Sequence, residues 1–198
     1  MVPFVARPRE FDRDEVLERA MSAFWSKGFT ATSTGDLVEA MQIGRQSMYD
    51  SFGDKRALYL EALAQYARQS VAAHIERLSS GKTALAGIEA MLAGLAPADK
   101  SLRHKGCMGV GAIAEFGCDD PDVVKLREKS GVVLVRALTE AVTLAKQQGD
   151  IPPQVDTAEA VRFIGTLMQG LQTDARAGVK PDALKATARF SVAALTRR

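Results

Sequence analysis

Apolar residues recur at three- and four-residue spacing along nearly the whole chain, and no alternating strand pattern lasts beyond a few positions. Such a chain can bury its apolar stripes only by packing helix on helix. Val16, Leu17, Ala20, Met21 and Phe24 form one stripe, closed by Lys27-Gly28. Thr32 or Ser33 is placed to cap a short helix ending at Met41, with Asp36 near its positive end. Gln42-Ile43-Gly44 reads as a turn and Arg45–Phe52 as a second short helix. Asp54 caps a long third stretch in which Tyr59, Leu63, Tyr66, Ser70, Val71, His74, Ile75 and Leu78 share a face, ending at Ser79-Ser80-Gly81. Further helices are expected near 83–95, 105–117, 121–148, 157–176 and 181–196, separated by Pro- and Gly-containing breaks. The expected fold is all-α, with about nine helices.

The chain has 198 residues, 46% hydrophobic and 25% charged, long enough for one large or two small domains with a proper core. No stretch reaches the roughly 20 apolar residues needed to span a bilayer, and the N-terminus does not read as a secretory signal. Two cysteines make no disulfide framework, so a cytoplasmic setting without membrane contact is expected. Net charge is only +2, and residues 1–56 carry eight Lys/Arg against nine Asp/Glu. A nucleic-acid argument must therefore rest on where the charges stand.

Residues 43–59, I-G-R-Q-S-M-Y-D-S-F-G-D-K-R-A-L-Y, supply that placement. Three short helices, of about 15, 9 and 8 residues with a glycine-containing turn between the second and third, fit a helix-turn-helix. In that motif the last helix enters the DNA major groove. Arg45 suits guanine, Gln46 adenine, and Ser47 either base or phosphate. Tyr49, Lys55 and the N–H groups opening the next helix suit phosphate oxygens. Met48 and Phe52 are expected to point inward. Arg7-Pro8-Arg9 could form an arm reaching phosphate or the minor groove.

Gly28-Phe29, Thr32, Ile43, Ser47-Met48-Tyr49, Phe52 and Lys55 together resemble the DNA-binding segment of the TetR/AcrR family of bacterial regulators, over about residues 10–60. Met41-Gln42 departs from the small residues common in that turn. The resemblance implies a DNA-binding domain over residues 1–55, with Thr32 among its contacts, and a ligand-binding and dimerisation domain over 56–198. It further implies a homodimer on a double-stranded, palindromic operator, released when a small-molecule effector changes the spacing of the two heads. No enzyme activity and no cofactor are expected.

Tyr66, His74, Met91, Cys107, Met108 and Phe163 are the candidate cavity walls, aromatic or soft apolar groups with a few polar ones. Val161, Ile164, Leu167, Met168 and Leu171, followed by Leu184, Ala188, Ser191 and Leu195, give the last two helices more apolar surface than one neighbour could cover. Ile164, Met168, Leu171, Leu184, Ala188 and Leu195 are accordingly expected at a two-fold interface. Cys107, following Gly106 at an expected helix start, offers the alternative of a redox-responsive regulator. A small thiol enzyme using Cys107 and His104 is the remaining alternative, without an orienting third group. His74, His104 and Cys107 lack metal-ligand spacing. One continuous helix would set Cys107 and Cys118 about 16 Å apart on one side.

Overall fold

In a computed structural model describing residues 11–197, Asp12 caps the start of the first helix by accepting from Asp14 N and Glu15 N, and this helix is the first of ten in chain order. They are α1 (Arg13–Lys27), α2 (Thr34–Met41), α3 (Arg45–Phe52), α4 (Lys55–Ser79), α5 (Ala84–Ala93), α6 (Lys100–Lys105), α7 (Met108–Phe116), α8 (Pro121–Gln147), α9 (Thr157–Arg176) and α10 (Pro181–Leu195). No strand occurs among the described residues. The all-α reading holds. The short α6, with no room for an apolar period, was not anticipated, and Arg7-Pro8-Arg9 lies outside the described residues.

Local chemistry sets most boundaries. Ser33, not Thr32, caps α2, and Asp36 returns a bond to the Ser33 N–H in a capping box. Gln42 ends α2 at φ 55, a left-handed position that usually favours glycine. Arg19 accounts for this departure: its guanidinium donates to the Gln42 side chain at 3.0 Å and reaches the Met41 carbonyl at 3.4 Å. Asp54 caps α4 through Ala57 N at 2.7 Å. The helix expected over 105–117 instead begins at Met108, because Gly106 turns the chain at φ 63 and Cys107 becomes the N-cap. Gly117, at φ 57, then breaks the path to Cys118, so the two cysteines do not share one helix.

Two apolar clusters organise the packing. The first joins Val16, Leu17, Ala20, Met21 and Phe24 of α1 to Leu37, Met41, Met48 and Phe52, as the stripes require. It continues through Leu58, Tyr59, Ala62, Leu63 and Tyr66 of α4 and takes in Met108, Ala112 and Val123. The second unites α5, α8, α9 and α10 around Ile88, Met91, Leu138, Val142, Ile164 and Ala188. The long helix α4 thus contributes its first three turns to the small head and its remainder to the body.

Polar clamps fix the head against the body. Arg56 forks onto Asp120 at 2.5 and 3.0 Å and reaches Asp122 at 2.7 Å. That guanidinium holds the Asp120 carboxyl down to about 2. Glu115 of α7 accepts the Phe29 N–H at 2.8 Å. Trp25 donates to the Gly106 carbonyl at 3.1 Å, and Phe29, Tyr59 and Phe116 cluster with ring centroids 5.0–5.5 Å apart.

One sequence expectation fails here. Ile164, Met168, Leu171, Leu184, Ala188 and Leu195 are all buried within the single chain, in the cluster completed by α5 and α8. They cannot form a face between two copies. Both sides of α9 are apolar, and periodicity could not say which side α5 and α8 would cover. The outward side carries Phe163, 42% exposed, and Phe190 of α10, 67% exposed, among the small residues Gly170, Ala183, Ala186 and Ala193.

Candidate functional site

The outer surface of α3 is built by elimination. Met48 is fully buried and Phe52 nearly so, and these two anchor the helix on α1 and α2. With eight residues and two inward anchors, α3 must present Arg45, Gln46, Tyr49 and Asp50 to solvent. Gln46 donates to Asp50 at 2.8 Å, which pre-orients its amide along the helix. Arg45 has no partner among the described side chains. Tyr49 is 40% exposed, whereas Ser47 is half-buried near the helix start.

Lys55 opens α4 beside this surface, its ammonium 4.3 Å from the Phe29 ring centre, a contact that steadies the side chain without neutralising it. Asp54 caps the start of α4 by accepting from Ala57 N at 2.7 Å. Thr32 behaves differently from the expectation. Its side chain is fully buried and its hydroxyl donates to the Gly28 carbonyl at 2.5 Å, so it braces the α1–α2 turn and cannot reach DNA.

Among the clefts that open against α4, two share the Tyr66–Ser70–His74 stripe. One, of about 430 Å³, lies among α4, α7, α8 and α9; the other, of about 280 Å³, lies among α1, α4, α6 and α9. Both are lined by Tyr66, Ser70, His74 and Gln172, so they meet at the centre of α4. Of the expected wall residues, Tyr66, His74 and Cys107 are brought together there. Met91 and Met108 are packed into the two cores, and Phe163 stands on the surface, so these three do not line the clefts. Helical phase alone could not separate a wall from a core position.

Cys107 is half-buried and lines the larger cleft with Tyr66, whose phenol is pushed well above its ordinary value, chiefly by burial. His104 is exposed on α6, close to Gly178, and does not line the cleft with Cys107. That placement removes the Cys107/His104 nucleophile pair. No cluster of metal-ligating side chains occurs among the described residues, and no described helix is long and apolar enough to cross a membrane.

Sequence reading missed Arg77, Arg103 and Trp25, which also line the smaller cleft. Arg77 extends the Tyr66–Ser70–His74 stripe by one further turn and was legible in principle. Arg103 sits on the unanticipated α6.

His74 gives the site a pH signature. Burial, assisted by the neighbouring Arg77 charge, lowers its imidazole to about 4. The unfolded chain takes up that proton near pH 6.5. Stability from the neutral histidine is therefore complete above about pH 6.5 and is lost progressively as the pH falls towards 4. The expected loss is about 3 kcal/mol at most. Urea midpoints at pH 7 and pH 4.5 should differ less in His74→Gln than in the original chain; equal differences would refute the assignment.

The comparisons with known proteins agree with this geometry. The family model for bacterial regulatory proteins of the tetR family matches residues 16–62, and that for the tetracyclin repressor-like C-terminal domain matches residues 84–190. The HTH-type transcriptional repressor ComR of Escherichia coli (strain K12) is 29% identical over 182 residues, covering 90% of this chain and 86% of ComR. The uncharacterized HTH-type transcriptional regulator YezE of Bacillus subtilis (strain 168) is 31% identical over 162 residues, covering 81% and 84%. A cysteine mutant of the TetR family regulator CifR, solved in complex with 26-bp double-strand operator DNA, superposes with a TM-score of 0.78 at 29% identity. That match covers 96% of this chain and 100% of that one. With both halves of the molecule matched and an exposed recognition helix in place, the chain belongs to the TetR family of DNA-binding transcriptional regulators.

Proposed function

We propose that this regulator is a repressor that binds a palindromic operator as a homodimer and is released by a small organic effector. The observation carrying this reading is the shared helix: α4 starts at Lys55 beside the recognition surface and lines both clefts with Tyr66, Ser70 and His74. A two-fold dimer reads a palindrome only when its recognition helices stand about 34–36 Å apart. Any tilt of α4 imposed from the clefts alters that spacing. A preference of only about 1.4 kcal/mol for the tilted state weakens operator binding tenfold. Such a protein works in the cytoplasm, where the operator is.

Residues 1–55 serve as the reading head and 56–198 as the sensing and dimerising body, with α4 shared between them. In the head, Arg45 and Gln46 address base edges, Ser47 a base or phosphate, and Tyr49 and Lys55 the phosphate backbone. The dimer forms through the outward faces of α9 and α10, around Phe163 and Phe190. Small residues flanking the two rings let the helices of a second copy approach closely.

The test is a titration of operator and scrambled duplexes at several salt concentrations. Lys55→Ala should weaken binding to both duplexes alike and reduce the salt slope by about one unit. Arg45→Ala should cost roughly 1–3 kcal/mol on the operator and little on the scrambled duplex. Equal losses on both duplexes for Arg45→Ala would move that side chain to the phosphate backbone. Loss of neither would remove α3 from the interface.

Cys107 supports a second reading, in which oxidation of the half-buried thiol beside Tyr66 disturbs the same cleft. Release of operator by a mild oxidant, abolished in Cys107→Ser, would favour it over a reversible effector.

A further inference from the structure

The smaller cleft carries positive charge that nothing described in the chain balances. Arg103 is only 9% exposed; one terminal nitrogen donates to the carbonyls of Pro97 at 2.8 Å and Ala98 at 3.1 Å, while its Nε is buried without a partner. Arg77, one helical turn beyond His74, makes only a long 3.4 Å bond to the Ala73 carbonyl. His74 is 7% exposed; its Nε2 meets the Ser70 hydroxyl at 3.2 Å, and its Nδ1 is also buried without a partner. No aspartate or glutamate lines this cleft among the described residues.

A buried guanidinium without a counter-ion is an unfavourable arrangement, and an entering anion relieves it. Carboxylates elsewhere in the molecule are drawn to arginine: Arg13 holds Glu61, and Arg56 holds Asp120 and Asp122. The two arginines of the cleft are left out of this pairing. Burial first, and then the Arg77 charge, disfavour protonated His74.

The remaining surface fixes the other half of the ligand. Trp25, Leu95 and Leu102 wall the smaller cleft, and Tyr66 marks its junction with the larger one. Beyond that junction Val71, Ile113, Leu134 and Leu138 supply an apolar wall, with Arg127, Glu128, Ser130 and Gln169 also on the lining. We propose that the effector is an amphipathic organic acid, its carboxylate seated by Arg103, Arg77 and His74 and its apolar body extending past Tyr66 into the larger cleft. This rests on the effector-released reading above and names the chemistry of that site. The acid bridges Trp25 of the head to α6 and α9 of the body, so its entry bears directly on the head's position.

Trp25 is the chain's single tryptophan, so its emission reports on this cleft alone. Straight-chain carboxylates from hexanoate to dodecanoate are titrated against the full chain, alongside the matching alcohols and alkylamines. At least one acid should give a saturable change in emission, with the matching alcohol and amine at least tenfold weaker. Arg77→Gln, at a half-buried position that keeps the fold, should weaken the acid at least tenfold; Arg103→Lys, checked for native helicity, should do likewise. Alcohols binding as well as acids, unchanged affinity in Arg77→Gln, or no saturable response across the acids would overturn the proposal. Operator binding is measured in parallel. An acid that binds through Arg77 yet leaves operator affinity unchanged refutes its role as effector while the anion site stands. Release by a neutral compound, unaltered in Arg77→Gln, refutes the acid while the effector-released reading stands.

Discussion

Gly87→Ala is expected to lower stability by about 3 kcal/mol, at the upper end of ordinary overpacking costs. Gly87 is buried in the middle of α5, where a helix interior would otherwise welcome alanine. A β-carbon there would lie 2.0 Å from the Leu78 carbonyl oxygen, and one on Gly81 would lie 2.2 Å from the Gly87 nitrogen. The obstacles are backbone atoms, so no side-chain rotation relieves them. The last turn of α4 and the body of α5 must separate, which opens the cluster holding Ile88, Met91 and Leu92. For a chain of this size the melting temperature should fall by about 6–12 °C. A melting temperature within a degree or two of the original would mean that the α4–α5 crossing yields easily.

Phe190→Glu should leave the fold intact and abolish the dimer. The ring is 67% exposed in the single chain, so its replacement removes little intramolecular packing. In the proposed assembly the glutamate would be buried against a second copy without a partner, at a cost of several kcal/mol. Operator affinity should then drop at least about 100-fold, because the second head no longer benefits from tethering to the first. Leu171→Glu makes the contrast. That side chain is 2% exposed within the chain, so its charge should unfold the body rather than split a dimer. Light scattering and circular dichroism separate the two outcomes. A folded, dimeric Phe190→Glu protein would show that the two-fold face lies elsewhere.

The head was almost fully legible because short helices leave little freedom. Five apolar positions in α1 and the pair Met48 and Phe52 admit one inward face each, and Arg45, Gln46 and Tyr49 are what remains outside. Thr32 was misjudged because a threonine before a helix serves equally well as a cap, a phosphate ligand or a turn brace. Only the 2.5 Å bond to Gly28 decides among these roles. In the body the difficulty is different. The helices α9 and α10 are apolar on more than one side, and a period of 3.6 residues locates stripes without ranking them. Hence the pattern cannot distinguish Ile164 and Leu171, which α5 and α8 cover, from an interface face, or exposed Phe163 from a cavity wall. Tyr66 and His74 were found because α4 is long enough to establish its phase. Arg103 was not, because six residues of α6 establish none.

The first core cluster runs without a seam from Val16 of α1 through Tyr66 of α4 to Met108, Ala112 and Val123. A graft of the operator-reading segment onto another regulator's body must therefore import more than the three short helices. Cut after residue 55, the transplanted piece would leave Phe24, Leu37 and Met48 facing whatever α4 and α7 the recipient happens to supply. On the proposed base contacts, exchange of DNA specificity between relatives is easier at the surface of α3, through Arg45 and Gln46, than by swapping heads. Recombination that respects this core would have to carry α4 as far as Tyr66 and bring the matching face of α7 with it.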